Sequence, residues 1–328
     1  QMGIYLGGAV AAAALLLGAL PEGWWAEAVA AGKTEVFDFG GGLTHWLTSP
    51  YAFPTAVLGG ALFSMASHGA DQLIVQRILA CRSLRDGQKA MVASGFGVIV
   101  QFALFLFVGL LLWGYYRGAA PAELGLVRGD EIFPKYIIEG MPPGVSGLLL
   151  AGIVAAAMST LSSSLNALAG ATVLDVVERL GGRRPDEAAA LRLSRVLTLV
   201  WGAVFVLFAL LFRSLENPVV ELGLGIAGFT YGGLLGAFLL GILSKRARQA
   251  DAVVAFLVTV LGMTLVIFGL FYSTVSEGWV FLLRPSAEAR AARGLVPLAW
   301  PLYTVFGALG MVALGSLLGW VRSSLARR

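Results

Sequence analysis

Several stretches of this chain hold about 20 consecutive and mostly apolar residues, the length that crosses the hydrocarbon core of a bilayer. Lipid offers no partner to a backbone amide, so such runs fold as helices that bond within themselves. They lie near residues 2–20, 51–80, 90–116, 144–180, 196–215, 218–243, 251–272 and 298–321, about eight in all. Only 13% of the residues are charged, roughly half the share of a soluble domain. The fold class is therefore an all-α polytopic membrane protein, read as one transmembrane domain over residues 1–328 with one discontinuous segment. Trp24, Trp25 and Trp46 suit the membrane interface, where amphipathic rings settle.

Several function classes drop out. The net charge of +4 comes from basic residues in short loops, where they orient helices rather than bind nucleic acid. The single cysteine, Cys81, excludes an internal disulfide, and His45 and His68 are too isolated for a metal cluster. No G-x-S-x-G, P-loop, C-x-x-C or H-E-x-x-H pattern occurs, so the chain does not read as an enzyme.

The most informative stretch runs from Ala155 to Val177, inside the longest apolar segment. Ser159, Thr160, Ser162, Ser163, Ser164, Asn166 and Asp175 put hydroxyl, amide and carboxylate groups into it. On a helix, Ser159, Ser162, Ser163 and Asn166 share one stripe, with Thr160 beside it. Hydroxyl oxygens and backbone carbonyls are hard ligands that suit a hard cation, so one reading is part of a sodium site. The other is close helix packing through small residues, with Ala155, Ala156 and Ala157 in front of them. The residues alone leave both open.

A second polar interruption, Ser67 to Gln72, falls inside the segment that starts near Tyr51. A Gly beside a His, an Asp and a Gln describes a discontinuous helix whose freed backbone lines a cavity. The alternative, a helix that ends near Ser67, fits poorly with the apolar Leu73, Ile74, Val75, Ile78 and Leu79 that follow. Gln101 is polar in the middle of the next span; it faces a transport cavity or bonds a neighbouring helix. Asp71, Gln72, Gln101 and the hydroxyl stripe are expected to converge on a solute pathway near the midplane. Phe133 to Glu139 reads as a short helix outside the bilayer, ended by Pro142 and Pro143. In the segment near 218–243, the glycines imply flexibility or close packing, with Gly232 and Gly233 as a hinge.

With eight spans, the loops alternate sides. One side collects 15 of the 23 Lys and Arg residues and the other 8. The richer side, and the C-terminus with it, is expected in the cytoplasm, which makes this a multi-pass protein of the inner (plasma) membrane.

Three motifs, in this order, resemble the sodium:solute symporter family, which includes carriers for glucose, iodide, proline, pantothenate and sialic acid. HGADQLIVQRILACRS, from His68, resembles its G-T-D-Q-x-x-V-Q-R signature. AAAMSTLSSSLNALAGATVLD, from Ala155, resembles its sodium-site helix. FTYGGLLGAFLLGIL, from Phe229, resembles its Y-G-P-L-L-G-x-F-L-L-G pattern, with Gly232 or Gly233 where a Pro is usual.

The resemblance implies a LeuT-type fold of two inverted repeats, with the second repeat and peripheral helices present. The opening QMGIYLGG looks like the continuation of the family's T-D-V-I-Q-M, so the chain is expected to be an N-terminally truncated fragment, most of the first repeat preceding it. The same resemblance implies that Ala156 gives sodium a backbone carbonyl and Ser159 and Thr160 their hydroxyls. Ser162 and Ser163 join Ser159 in members with a second sodium site. Asp175 matches an acidic position that attracts sodium as it leaves. Asp71, Gln72 and Gln76 match the broken-helix signature, and Asp71, Gln72 and Gln101 are the substrate-side candidates. Gln101 departs from the Pro common there in sugar-type members.

The implied function is sodium-coupled symport of a small solute by alternating access, with sodium, the bilayer and a sugar, carboxylate, vitamin-like anion or amino acid as partners. The alternative is a transporter-like membrane sensor that moves no net solute. A kinase domain after residue 328 would mark it, and the ending SSLARR reads as a terminus.

Overall fold

The apolar runs fold as helices, as backbone satisfaction in lipid demands. The computed structural model describes residues 2–178, 186–211 and 219–325, without the side chains of Gln72, Leu73, Gln76, Leu211 and Ala287. Arg179, Arg183, Arg184, Arg213, Arg327 and Arg328 of the orientation argument, and the connection at 212–218, lie outside the described residues.

The first helices are α1 (Met2–Ala19), α2 (Trp24–Ala30), α3 (Gly42–Thr48), α4 (Phe53–Gly69), α5 (Gln72–Leu79), α6 (Leu84–Tyr115) and α7 (Ile132–Glu139). Next come α8 (Pro143–Ala171), continued by a π turn at Thr172–Val177, and α9 (Glu187–Leu211). Last are α10 (Val219–Leu243), α11 (Gln249–Gly269), α12 (Ala287–Arg293) and α13 (Leu302–Leu325). Seven of these are long and apolar enough to cross a membrane: α1, α6, α8 with its π turn, α9, α10, α11 and α13. The remaining apolar run folds as the 17-residue α4 and the 8-residue α5.

Two helices start earlier than hydropathy suggests. α6 begins at Leu84 and takes in Arg85, Asp86 and Lys89. α9 begins at Glu187 and takes in Arg192 and Arg195. Hydropathy reports only the part of a helix that lipid surrounds, while backbone bonding carries on into water. The connection between α11 and α13 is not an irregular loop. It holds β1 (Leu270–Ser273), β2 (Gly278–Phe281) and β3 (Leu295–Pro297), an antiparallel sheet in the order β2-β1-β3, outside the spans of an otherwise helical chain. Strands this short carry little period-2 signal beside the long apolar runs.

The chain divides into two compact units, Gln1–Lys33 with Ile99–Pro218, and Thr34–Val98 with Val219–Arg328; the boundary falls within α6. In the first unit, Ala9, Ala12, Ala13 and Leu16 of α1 form a stripe at helical spacing, with Val108, Leu111 and Leu112 of α6, Tyr136 and Ile137 of α7, and Leu149 of α8 in the same buried cluster. α1 and α8 come close because Gly8 lies against Leu149 and Gly152 against Ile4.

In the second unit, α10 and α13 pack along most of their length. The row Gly228, Gly232, Gly236 and Leu240 on α10 meets Thr304, Gly307, Met311 and Gly315 on α13. A Cβ on Gly232 would stand 2.9 Å from the Tyr303 carbonyl oxygen and 3.0 Å from the Gly307 Cα, so only hydrogen fits. Small residues four apart let two backbones touch, and dispersion does the rest in a medium without a hydrophobic effect between helices. Thr304 Oγ1 donates to the Gly228 carbonyl at 3.1 Å, fully buried. α10 runs unbroken through Gly232 and Gly233. The glycine pair expected as a hinge is a packing contact.

Candidate functional site

Burial on α8 is confined to its two ends. Ser146, Leu149 and Gly152 are buried toward the start, Ala169 and Val173 toward the finish. From Ile153 to Ser163 every side chain is exposed except the half-buried Ala156. The hydroxyls of Ser159, Thr160, Ser162 and Ser163 and the amide of Asn166 are therefore open, in mid-span of a 35-residue membrane segment. Polar groups at that depth take partners from protein, water or an ion. Ser163 Oγ donates to the Ser159 carbonyl at 3.0 Å, a back-bond that leaves its oxygen lone pairs free for a cation. Ala156, Ser159, Thr160, Ser162 and Ser163 thus offer hydroxyl and carbonyl oxygens over two turns, the chemistry a hard monovalent cation needs.

Asp175 is exposed within the π turn that follows. A π turn inserts an extra residue and frequently marks functional positions. Thr172 at its start is doubly tied: its hydroxyl donates to the Leu168 carbonyl at 2.7 Å and accepts from Trp201 Nε1 of α9 at 3.0 Å. Gln101 lies half-buried on α6 in the same unit.

Asp71 belongs to the second unit. The helix break expected there falls at Ala70 and Asp71, between the end of α4 at Gly69 and the start of α5 at Gln72. The Asp71 carboxylate accepts a hydrogen bond from the Tyr231 hydroxyl of α10 at 2.7 Å. The side chains of Gln72 and Gln76 lie outside the described residues. The candidates thus divide between units: the α8 set, Asp175 and Gln101 in one, Asp71 and Gln72 in the other.

Tyr231 of the FTYGG motif and Trp201 have no role that the sequence motifs assign. Each carries a hydrogen bond to a residue at a helix irregularity. A lone polar-tipped aromatic in an apolar span was the available signal, since buried Tyr and Trp usually find a partner for the O–H or N–H.

Outside the spans, the segment before α4 is held by its own contacts. His45 Nε2 donates to Asp38 Oδ2 at 2.6 Å, and the Gly40 N–H reaches Asp38 Oδ1 at 3.0 Å. The His45 bond first, and the Gly40 amide second, hold the Asp38 carboxyl below its ordinary value. Tyr51 donates to Glu221 at the start of α10. Burial, then that bond to Glu221, pushes the Tyr51 hydroxyl up to about 12.

Residues 29–259 match the model of the sodium:solute symporter family. The sodium/sialic acid symporter NanT of Aliivibrio fischeri is 31% identical over 220 residues, covering 66% of this chain and 43% of that protein. The human sodium/iodide cotransporter is 31% identical over 198 residues, 59% of this chain and 30% of that protein. Mouse sodium-coupled monocarboxylate transporter 1 is 31% identical over 226 residues, 66% of this chain and 37% of that protein. The chain spans less than half the length of these relatives. A solved Na+-coupled sialic acid symporter, substrate-bound and outward-open, superposes with a TM-score of 0.66 at 21% identity, over 97% of this chain and 60% of that one. That likeness is one of fold, the LeuT-type arrangement.

Proposed function

The chain belongs to the sodium:solute symporter family, and we propose that it serves sodium-coupled symport of a small organic solute or anion by alternating access. The observation that carries this reading is the middle of α8, exposed from Ile153 to Ser163 except at Ala156 and carrying hydroxyls at membrane depth.

In this reading Ala156 gives sodium a carbonyl oxygen and Ser159 and Thr160 give hydroxyls. Ser162 and Ser163 serve a second ion with Ser159, and Asp175 draws sodium toward its exit. Asp71, Gln72 and Gln101 act on the solute side. Residues 1–328 work as one transport domain in the inner (plasma) membrane, with the C-terminus in the cytoplasm, as 15 of 23 basic residues on that side favour. Sodium entry supplies about 2.3 kcal/mol per charge for each 100 mV of potential, plus its concentration term. Binding energy spent on one of two states shifts the population toward it.

Uptake by the gene product in vesicles tests this, with an imposed inward sodium gradient and labelled sugars, carboxylates, vitamin-like anions and amino acids. Accumulation of one solute that disappears when the gradient is collapsed is the expected result. Sodium binding without accumulation of any solute refutes symport and supports the sensor.

A further inference from the structure

The break between α4 and α5 has one residue at its centre. The Ala66 carbonyl takes the N–H of Ala70 at 2.9 Å and that of Asp71 at 3.2 Å, which ends α4. The Asp71 carbonyl takes the N–H of Ile74 at 3.2 Å and of Val75 at 2.9 Å, which starts α5. Backbone bonding enters Asp71 from one helix and leaves it into the other.

Tyr231 holds both sides of that point. Its ring meets Phe63 of α4 edge-on, with centroids 5.1 Å apart at 62°, and packs on the cluster of Ala66, Leu235 and Ala308. Its hydroxyl reaches past the end of α4 to Asp71 Oδ2 at 2.7 Å. The backbone that carries Tyr231 cannot yield easily, because Gly232 beside it is pressed against α13. The far end of α5 has a lighter hold. Ile78 sits over Gly87 of α6, where a Cβ would come within 3.2 Å of its Cγ2. Just beyond, the Cys81 N–H bonds the Ile78 carbonyl at 3.1 Å. A change in the angle of α5 therefore moves Ile78 off Gly87 and changes the surroundings of Cys81.

We infer that Tyr231 is a positioning residue of the helix break: its hydroxyl holds Asp71 so that α5 keeps one angle to α4, and release of that bond lets α5 swing about Asp71. A ring alone would pack on α4 without reaching Asp71, so the hydroxyl is the part that bears on the pivot. The inference deepens the symport reading, in which the broken helix lines the pathway, and rests on it for its purpose; the geometry of the pin stands apart from it.

The test is the alkylation rate of Cys81 in the gene product in membranes, with the Cys81 peptide resolved by mass spectrometry. Tyr231→Phe keeps the ring, and Asp71→Leu keeps the volume but removes the acceptor. Each is expected to raise the rate about tenfold, the factor by which losing one charge-assisted hydrogen bond moves an equilibrium. The double variant is expected to react no faster than the Asp71 variant alone, because the Tyr231 hydroxyl acts only through that carboxylate. Leu235→Ala opens a cavity in the same cluster without touching Asp71; it is expected to lower thermal stability and leave the Cys81 rate as in the wild type. An unchanged rate in Tyr231→Phe overturns the inference. So does a double variant that multiplies the two single effects, or a Leu235→Ala rate raised as far as that of Tyr231→Phe. Cys81 labelling needs no transport, so a wrong symport reading would show instead as absent uptake by the wild type with this labelling pattern intact.

Discussion

Helices α8 and α13 are both long membrane helices rich in small residues, and the middle of α8 uses them in the opposite way to α13. On α13, Gly307, Ala308, Gly315 and Gly319 are buried. On α8, Ala155, Ala157, Ser159, Ser162 and Ser163 are exposed. Small size alone therefore does not give a residue its task. Where a small residue meets a facing backbone it becomes a packing contact, and the helix is held. Where it carries an oxygen and stays open, it remains available to a ligand.

The largest effect is expected where α10 touches α13. Gly232→Ala should cost about 1–3 kcal/mol, the usual price of overpacking, because the new methyl meets backbone atoms of Tyr303 and Gly307 rather than a movable side chain. Thermal unfolding in detergent reads it. Gly241→Ala on the same helix has open space around its Cβ and should be neutral or slightly stabilising. Equal losses at both positions would remove the contrast.

On α8 the expected effect is on sodium rather than on stability. Ser159→Ala or Thr160→Ala should raise the sodium concentration for half-maximal uptake about tenfold, the worth of one lost ligand hydrogen bond or ion contact. Melting without sodium should not change, since both side chains are exposed. A fall in melting temperature with unaltered sodium dependence would make α8 a packing helix like α13.

A smaller effect is expected at the ends of α11 and α13. Arg322 donates to both oxygens of Asp251, with the shortest bond at 2.8 Å, and to the Arg246 carbonyl at 2.6 Å. Arg322→Gln should lower the melting temperature by less than Gly232→Ala does, because the guanidinium is half-exposed and Asp251 keeps the Arg248 N–H at 2.8 Å.

The smallest is confined to alkaline pH. Tyr51 is raised from 10.0 to about 12, so the folded state keeps its proton where the unfolded chain loses it. Its contribution is complete below about pH 10 and is lost as pH rises toward about 12. Tyr51→Phe should flatten the fall in melting temperature across that window; an unchanged slope would mean the contact with Glu221 does not persist in solution.

Much of the fold was legible in the residues because lipid leaves the backbone few choices. Apolar length placed the spans, and the polar run from Ser67 to Gln72 marked the broken segment to within two residues of its break at Ala70 and Asp71. The oxygen-bearing stripe of α8 was legible for the same reason, since such groups are costly in an apolar run. The sheet at 270–297 and the early starts of α6 and α9 were not, because hydropathy is silent outside the bilayer. The glycines of α10 read equally well as hinge or contact.

By itself the sequence determined that the chain spans a membrane as helices, which of them is interrupted, and where hydroxyl groups interrupt an apolar span. Each follows from a local property, apolar length or the cost of a polar group in lipid. Tertiary structure decided that Gly232 is a contact, that Tyr231 reaches Asp71 across 160 residues of sequence, and that Trp201 holds the start of the π turn. Those depend on which helix faces which, and no local pattern records the neighbour.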